Sequence, residues 1–500
     1  MQKLIIDETK IKKAILSGLP LTVTTSTMPR EVEVYIEQIM TIFLKYAEKE
    51  DLKNYIIYSV LELAANAKKA NTKRVYFAER GLDISDDYDY MKGMENFKEN
   101  TLANISHFLQ RQEEAGLYIR LILLLREDLI QIEIRNNSTA VRAELNRIRD
   151  KLSNSRQYNS LDEAFSLALD DSEGAGLGLI ILVLMLRKIG LNEDCFDISN
   201  NEEETVARLT IPMDQVNVEN ISGLSQEIVD GIDSLPQFPE NILEIQRLLN
   251  DPTAGINTIA RQLARDPALT ADLLRIVNSA QYMLTKRVEN IAEAVVMVGI
   301  RGIKNLLYSY GSQLILGSDS AEKKELWEHS YKTAFYAYNI VDKFKRNIIL
   351  LDSAYVSGIL HDMGKIILSN IHPDLLNKIR NFCAKKNIPD YTMEYLSSGM
   401  NHAGIGALIA EKWNFPEELV AAIRYHHNPS AAPKDYRNLV DSVYMANMLC
   451  EYEKGNVLFE QFETAPLKNF SITSKQQLDD LLTHLTSGLR RAKEKQEVIL

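Results

Sequence analysis

The feature that most constrains the fold of this chain is a change in the spacing of its apolar residues near residues 214–226. Residues 1–215 mix helical and strand-like patterns, whereas residues 225–500 follow an almost uninterrupted helical period. The segment 214–222 lies between a predicted strand and a predicted helix and is typical of a linker. Of the 500 residues, 45% are apolar, which is enough for more than one core. The sequence therefore predicts an α+β chain of two domains, the second of them all-α.

The first half contains patterns of both helices and strands. A long helix is predicted over residues 54–70 and a strand over residues 74–78. Residues 129–135 alternate strictly between apolar and polar side chains, as a half-buried strand does, and residues 118–125 are the predicted partner strand. A last strand over residues 205–212 closes a predicted mixed sheet covered by helices. This arrangement is an α/β sandwich.

Charge and cysteine content narrow the functional classes. The chain has 57 Lys and Arg against 69 Asp and Glu, a net charge of −12, so we expect neither DNA nor an anionic membrane as a partner. The three cysteines, Cys195, Cys383 and Cys450, are far apart, which predicts reduced thiols. The longest apolar run, residues 177–186, is about half of what a membrane span needs. We therefore expect a cytoplasmic protein.

Two segments of the first half carry residues suited to magnesium and phosphate. Glu62, Asn66 and Lys69 lie at spacings of four and three residues, on one face of the predicted helix. The amide can ligate Mg²⁺, the carboxylate can orient water and the ammonium can meet phosphate; the alternative is a solvated helix face. Three glycines precede an apolar helix: Gly174, Gly176 and Gly178. They are typical either of a phosphate-binding turn or of a turn into a buried helix.

Together with the alternating strand and the Asn136 that follows it, these segments resemble the GHKL (Bergerat-fold) ATPase domain of histidine kinases and gyrase-type proteins. The resemblance covers residues 35–213 and implies ATP with Mg²⁺ as the ligand, Glu62 as a catalytic residue and a lid over residues 138–173. The resemblance assigns most of the residues expected to bind nucleotide, and Lys69 is added because of its charge. The full set is Asn66, Lys69, Asn136, Gly174, Gly176, Gly178 and Thr205.

Two departures from that family bear on mechanism. Where the family has an Asp that accepts from adenine, this chain has Asn136, which can accept the same hydrogen bond without a charge. Histidine kinases carry a phosphoacceptor His before the segment that corresponds to Glu62, and here the first His is His107, so we expect no ordinary kinase in cis. His107 lies in an acidic insert, residues 81–115, which is either a solvated surface or a docking site for a partner.

The second half contains most of the histidines of the chain. Five of them, with one aspartate, lie in predicted helices or at their ends: His329, His361 with Asp362, His402, and His426 with His427. An adjacent His–Asp pair lets one carboxylate bridge two metal ions while the imidazole binds one of them. Further histidines then complete nitrogen and oxygen sites suited to Fe or Mn. The alternative, a packed core histidine, remains open for any one of them.

These residues and the Leu-Pro-x-Phe-Pro sequence at 235–239 resemble the HDOD family, a relative of HD-domain phosphohydrolases, across residues 223–430. The resemblance implies an all-α signalling module in which metal-dependent catalysis is generally not expected. Lys365 matches a cation that catalytic relatives hold near the scissile phosphate, and Asn447 stands where HD enzymes have an Asp, which weakens a dinuclear site. The candidate metal ligands are His329, His361, Asp362, His402, His426, His427 and Asn447.

The leading functional prediction is a cytoplasmic signal-transduction protein in which ATP binding to the GHKL-like domain controls the HDOD domain and an unidentified protein partner. The alternatives are a metal-dependent HD-type phosphodiesterase gated by the first domain, with Lys365 as a catalytic residue, and a protein kinase that acts in trans. We expect ATP with Mg²⁺ in the first domain and Fe or Mn in the second.

Two helical extensions complete the predicted organisation. The last one carries leucines at helical spacing, which pack on the helical half or on a second copy of the chain in a homodimer. The predicted segments are a helical extension over 1–34, the ATPase-like domain over 35–213, the linker over 214–222, the HDOD domain over 223–430 and a second helical extension over 431–500.

Overall fold

The computed structural model describes residues 6–158, 163–164, 177–201, 203–216, 223–251, 253–278, 288–317, 320–345, 347–371, 379–383 and 389–497. The chain divides into two compact units, Met1–Ile221 and Ser222–Leu500, and each is described by itself. Within the described residues, none of the helices combines the length and the apolar character that crossing a bilayer requires. All three cysteines are free thiols.

A five-stranded sheet forms the base of the first unit. The strands are β1 (Leu21–Thr25), β2 (Ile119–Arg126), β3 (Leu129–Asn136), β4 (Phe196–Asn200) and β5 (Thr205–Pro212). Their order is β1-β2-β3-β5-β4, and each pairing is antiparallel. In the register, Leu121 faces Ile134 and Ile134 faces Ala207, so apolar side chains of neighbouring strands share one face.

Helices bury that apolar face. Ile132 and Leu209 are fully buried there, and the long helix α3 packs against β3. The opposite face is charged: Glu133 accepts hydrogen bonds from Arg135 and Arg208. The described helices of this unit are α1 (Glu8–Leu16), α2 (Arg30–Tyr46), α3 (Lys53–Glu79), α4 (Asp87–Met94), α5 (Phe97–Ala103), α6 (Ile105–Glu114), α7 (Arg142–Asn154) and α8 (Leu177–Lys188).

The structure confirms the α+β class and the strands predicted over 118–125, 129–135 and 205–212. The strand predicted over 74–78 is wrong, because α3 continues to Glu79. A short apolar run fits both periods, and here the end of the helix buries it. The mixed sheet is also wrong, since all pairings among the described strands are antiparallel.

Two strands were not predicted. β4 lies just before β5 and pairs with it. β1 lies within residues 1–34, which were expected to be a helical extension; instead β1 is the edge strand next to β2. Short edge strands carry few buried side chains, and Leu21–Thr25 has only five residues, none of them buried. Residues 1–34 therefore contribute a strand to the sheet as well as helix α1.

The insert and the predicted lid are helical where the structure describes them. The insert, residues 81–115, contains α4, α5 and α6. The lid prediction, residues 138–173, includes α7, and residues 159–162 and 165–173 lie outside the described residues. Glu144 in the first turn of α7 pairs with Lys73 and Arg74 of α3 at 2.8 and 2.7 Å. These ion pairs join the start of the lid segment to the long helix.

The described residues of the second unit form helices joined by turns and loops, with no strand among them. Its longer helices are α9 (Gly223–Ser234), α10 (Glu240–Leu249), α11 (Ile256–Leu263), α12 (Pro267–Val277), α13 (Ile291–Leu316), α14 (Ala321–Phe344), α15 (Ile348–Leu360), α16 (Met363–Ile371), α17 (Asp390–Ser398), α18 (His402–Lys412), α19 (Glu417–Tyr425), α20 (Arg437–Glu453), α21 (Thr464–Asn469) and α22 (Lys475–Glu497).

Two glycines allow close helix packing in this unit. A Cβ at Gly358 of α15 would lie 2.5 Å from the Cα of Ala334 in α14. A Cβ at Gly364 of α16 would overlap the carbonyl oxygen of His402 at the start of α18. Because neither position has room for a side chain, the end of α15 and the start of α16 are held against both neighbours.

The motif at 235–239 has a structural role. Phe238 is buried and its ring contacts those of Trp413 and Phe415 at 5.6 and 5.3 Å. The indole N–H of Trp413 donates to the Pro236 carbonyl at 3.1 Å. The motif therefore fastens the segment before α10 to the end of α18 by aromatic packing and one hydrogen bond.

The C-terminal leucine stripe packs within the second unit. Leu478, Leu481 and Leu485 of α22 are buried in a cluster that includes Phe335 and Ile340 of α14. This confirms intramolecular packing for the stripe. The homodimer stays a prediction.

Candidate metal centre

A buried aspartate lies at the centre of the histidine cluster in the second unit. His361 and Asp362 form the turn between α15 and α16 and are 0% and 2% exposed. An ionised carboxylate is stable at such burial only when charges or hydrogen-bond donors compensate it. The groups around its two oxygens therefore define the site.

Three histidines surround the first of these oxygens, Oδ1. His402 begins α18, and His426 and His427 directly follow α19. The Nε2 atoms of His402 and His426 lie 3.1 and 3.7 Å from Asp362 Oδ1. His402 Nε2 also lies 3.3 Å from His426 Nε2 and 2.9 Å from His427 Nε2. We call Asp362, His402, His426 and His427 the Oδ1 group; their ligand atoms all lie within 4.8 Å of one another.

The second oxygen, Oδ2, has different neighbours. Lys365 Nζ donates to it at 2.8 Å, and the Nε2 atoms of His361 and His329 lie 3.4 and 3.6 Å away. His329 belongs to α14, and its Nε2 donates to Asn447 Oδ1 of α20 at 3.1 Å. We call Asp362, Lys365, His361, His329 and Asn447 the Oδ2 group. The structure thus brings together all seven candidate metal ligands and Lys365.

Hydrogen bonds at the other ring nitrogen orient three of the imidazoles. The Nδ1–H of His361 donates to the Gly358 carbonyl at 2.8 Å, and that of His426 donates to the Ile423 carbonyl at 2.7 Å. The Nδ1–H of His402 donates to Glu394 Oε2 at 2.5 Å. Because these acceptors take the Nδ1 proton, the Nε2 lone pair of each neutral ring is directed toward Asp362.

The charged groups of the centre stabilise one another. Burial by itself raises the pKa of Asp362, but His361, Lys365 and His402 hold the pKa of this carboxyl well below its usual value. Burial likewise lowers the pKa of the Lys365 ammonium, and the Asp362 carboxylate more than offsets this and raises it. Both groups are therefore ionised at neutral pH.

The histidines divide into two kinds by their pKa. Burial lowers the pKa of His361 and His329, for His329 to about 3, and places those of His426 and His427 well below the usual value. For His402, burial also lowers the pKa, but the Glu394 carboxylate raises it above the ordinary value. The four histidines with lowered pKa are neutral ligand candidates, and His402 lies where the surroundings favour positive charge.

The residues present fit a transition-metal ion. Ligands of a tetrahedral site with bonds of about 2.1 Å lie about 3.4 Å apart, close to the separations within the Oδ1 group. His361 Nε2 is buried and has no hydrogen-bond partner among the described residues. Imidazole nitrogens with one carboxylate form a donor set for Fe or Mn. The cluster is therefore a candidate metal centre of the second unit.

Glu394 is a functional candidate that the sequence analysis missed. It is 2% exposed on α17 and accepts hydrogen bonds from both the backbone N–H and the Nδ1–H of His402. No motif marks a carboxylate eight residues before a histidine, so the sequence contains no signal for it. Its contact with His402 depends on the packing of α17 against α18, which only the structure shows.

The candidate nucleotide residues of the first unit lie in two places. Glu62 of α3 is buried against the start of α8, where a Cβ at Gly178 would overlap Glu62 Oε1. Asn66 donates to Glu62 Oε1 at 3.5 Å and is exposed, as is Lys69 one turn further along α3. Helix α3 and the start of α8 thus contact each other at Glu62 and Gly178. Gly174 and Gly176 lie outside the described residues.

The second place is the end of β3. Asn136 donates to Ser138 Oγ at 2.6 Å and to Asn71 Oδ1 at 3.3 Å. Thr205 donates to the Ser138 carbonyl at 2.7 Å and accepts from the Ala140 N–H at 2.9 Å. Asn71, which is fully buried, is a member of this network that the sequence analysis did not single out. The network connects Asn136 and Thr205 through Ser138.

Comparison with known proteins identifies the class of the second unit. The HDOD domain family matches residues 235–429, so the chain contains an HDOD domain. Over 476 residues the chain is 40% identical to an uncharacterized protein of Treponema pallidum (strain Nichols), covering 95% of this chain and 93% of the relative. The chain therefore belongs to the same family as that protein.

Solved structures with related folds match about half of the chain. An HDOD domain protein with unknown function from Geobacter sulfurreducens is 23% identical and covers 56% of this chain and 97% of its own, with a TM-score of 0.44. A proposed phosphohydrolase from Shewanella amazonensis is 23% identical and covers 53% of this chain and 97% of its own, with a TM-score of 0.42.

Proposed function

We propose that this protein is a signal-transduction regulator whose HDOD domain binds Fe or Mn at the His–Asp centre and is controlled by ATP binding to the first unit. The observation that carries the proposal is the orientation of the buried histidines, whose Nδ1–H groups are held by Gly358, Ile423 and Glu394. Histidines that only fill space in a core would not need to direct several Nε2 atoms toward the same carboxylate.

The metal is tested by loading the protein anaerobically with Fe²⁺ or Mn²⁺ and measuring metal per chain after desalting. We expect bound metal in the wild type and its loss in His426→Gln, because His426 is a buried member of the Oδ1 group. His484→Gln, which changes an exposed histidine of α22, is the matched control and should keep the metal. Less than a tenth of a metal per chain in the wild type would rule out the proposed site.

The nucleotide part of the proposal rests on the approach of Glu62 to Gly178 and on the network of Asn136 and Thr205. In this proposal Mg-ATP binds near Asn66, Lys69 and the glycine segment. It acts on the HDOD domain through a difference in its affinity for two states of the lid.

Calorimetric titration of Mg-ATP into the wild type and Asn66→Ala tests nucleotide binding. We expect a dissociation constant below millimolar for the wild type and at least tenfold weaker binding for the variant. Asn54→Ala lies on the same helix about 18 Å away and is the matched control. If neither the wild type nor the control binds below millimolar, ATP is not the input.

A second candidate is hydrolysis of a phosphate ester at the HDOD centre. The observation that favours it is Lys365, a cation 2.8 Å from Asp362 Oδ2 at the edge of the cluster, where it can meet a phosphate. A metal in the centre would supply an activated water. Turnover of a phosphodiester such as bis(p-nitrophenyl) phosphate, present after metal loading and absent in Asp362→Asn, would establish this activity.

The third candidate is a protein kinase that acts in trans, and a phosphotransfer assay distinguishes it from the other two. Transfer of label from γ-labelled ATP to proteins of a lysate should then depend on Glu62 and be lost in Glu62→Gln. Label transfer that persists in this variant would argue against this chain as the kinase.

A further inference from the structure

The two oxygens of Asp362 are in unequal surroundings. The only ammonium group recorded at the carboxylate among the described residues is Lys365 Nζ, and it contacts Oδ2 at 2.8 Å. Around Oδ1 the neighbours are imidazole nitrogens of His402 and His426. One side of the carboxylate therefore has a built-in cation, and the other has a set of potential ligands.

On the Oδ1 side, atoms that accept protons or metals converge. His426 gives its Nδ1–H to the Ile423 carbonyl and His402 gives its Nδ1–H to Glu394. Their Nε2 atoms are 3.3 Å apart, and His427 Nε2 lies 2.9 Å from His402 Nε2. Lone pairs repel at such distances unless a proton or a metal ion lies between them, so this side is built for a positive charge.

On the Oδ2 side the positive charge is already present. The Lys365 ammonium is held three residues after Asp362 at the start of α16, and its side chain is only 17% exposed. A metal ion bound to Oδ2 would have to displace or repel this ammonium at close range in a site of low dielectric constant. The ammonium neutralises Oδ2 in the way that a second metal ion would.

The remaining ligands on this side are also poor. His329 Nε2 lies 3.1 Å from Asn447 Oδ1, so a metal ion bound to this nitrogen would have to replace that contact. Asn447 itself is 6% exposed and contributes an oxygen without a charge. Among the described residues, His361 Nε2 has no hydrogen-bond partner and is therefore available as a ligand on the Oδ2 side.

We propose that the centre takes a single metal ion per chain, held by Asp362 Oδ1, His402, His426 and His427, and that Lys365 replaces a second ion at Oδ2. This inference rests on the proposed metal binding and makes it specific. It assigns Lys365 a positioning role: the lysine fixes the carboxylate so that Oδ1 is presented to the metal ion and Oδ2 is unavailable.

The metal stoichiometry of the wild-type chain tests the inference directly. After anaerobic loading with Mn²⁺ or Fe²⁺, we expect one metal per chain by elemental analysis and one binding event in a calorimetric titration. Two metals per chain would overturn the single-ion inference and leave the proposed metal function intact. Less than a tenth of a metal per chain would overturn the metal function itself. The two failures are therefore distinguishable without any variant.

A double variant tests the role of Lys365. Lys365→Met with Asn447→Asp removes the ammonium and restores a charged oxygen beside His329, so we expect two metals per chain. The matched control, Lys434→Met with Asn428→Asp, changes exposed residues of the same types and should keep one. If the double variant has an unchanged circular dichroism spectrum and still binds one metal, Lys365 is not what excludes the second ion.

Discussion

The two candidate sites differ in how much of each is assembled before a ligand binds. In the second unit, the Asp362 carboxylate and three of the histidines are buried, and Gly358, Ile423 and Glu394 orient the rings of these three, His361, His402 and His426. In the first unit, Asn66 and Lys69 are exposed on α3. A buried ligand set must be satisfied by its own neighbours, whereas an exposed one can also be reached by water.

A site whose groups are buried and mutually oriented can therefore be recognised in a structure without its ligand more easily than an exposed one. The candidate metal centre is marked by convergent ring nitrogens and a compensated buried charge. The residues proposed for nucleotide binding show only packing of Glu62 against Gly178 and the hydrogen bonds that link Asn136 to Thr205 through Ser138. Single substitutions in each unit test this contrast.

Asp362→Asn should abolish metal binding, with a loss of affinity of more than about 100-fold, because the variant removes the charged carboxylate that the Oδ1 and Oδ2 groups share. Calorimetric titration with Mn²⁺ measures the change. Asp435→Asn, at an exposed position of the same unit, is the control and should bind as the wild type does. Metal affinity within threefold of the wild type in Asp362→Asn would show that the histidines bind elsewhere.

Glu144→Gln should destabilise the first unit by up to about 3 kcal/mol at pH 7. Burial by itself raises the pKa of Glu144, but Arg74 and Lys73 lower it to about 2 from an ordinary 4.5. The stabilisation is therefore complete above pH 4.5 and is lost as the pH falls toward 2. Urea unfolding should show a difference between wild type and variant that shrinks below pH 4.5.

The control for that experiment is Glu113→Gln, which changes an exposed glutamate of the insert. Its stability should follow that of the wild type within about 0.5 kcal/mol at each pH. A difference for Glu144→Gln that does not change between pH 7 and pH 3 would contradict the ion pairs between α3 and α7.

Glu394→Gln should weaken metal binding about 10- to 100-fold, since the loss of the charge behind His402 makes its Nε2 a weaker ligand. The side-chain oxygen of Gln can still accept the Nδ1–H of His402, so a purely structural role predicts little change in affinity. Glu411→Gln, on the exposed surface of α18, provides the comparison. Thermal melting of the metal-free proteins reports folding separately.

Gly178→Ala should lower the stability of the first unit by about 2 kcal/mol, because the added methyl overlaps Glu62 Oε1. Mg-ATP affinity should fall as Glu62 moves. Gly488→Ala in α22 adds a methyl at an ordinary 3.5 Å from the Phe335 ring and should be neutral or slightly stabilising. A variant Gly178→Ala as stable as the wild type would contradict the close packing of α3 and α8.

Much of the centre could be predicted from the sequence because its ligands are chemically distinctive. The chain has few histidines, and two adjacent pairs are easily recognised among them: His361 with Asp362, and His426 with His427. Glu394 could not be predicted, since its importance depends on the packing of α17 beside α18. The asymmetry of Asp362 was also invisible, because it depends on which oxygen Lys365 contacts.

The fold shows the same limit. Longer alternating strands such as Leu129–Asn136 were predicted correctly, while the edge strand Leu21–Thr25 was missed because it has only five residues and none of them is buried. The apolar run in residues 74–78 was assigned to a strand, although it continues a helix. Short runs of this kind are decided by tertiary packing, which the local sequence does not specify.

Anomalous diffraction tests directly whether the His–Asp centre binds a single metal ion at Asp362 Oδ1. Crystals of the wild-type protein, purified anaerobically and loaded with Fe²⁺, would be measured above and below the iron absorption edge. We expect one anomalous peak per chain, bounded by Asp362 Oδ1, His402, His426 and His427, and no peak at Oδ2 next to Lys365. The absence of any peak at Asp362, or a peak only at exposed histidines such as His484, would contradict it.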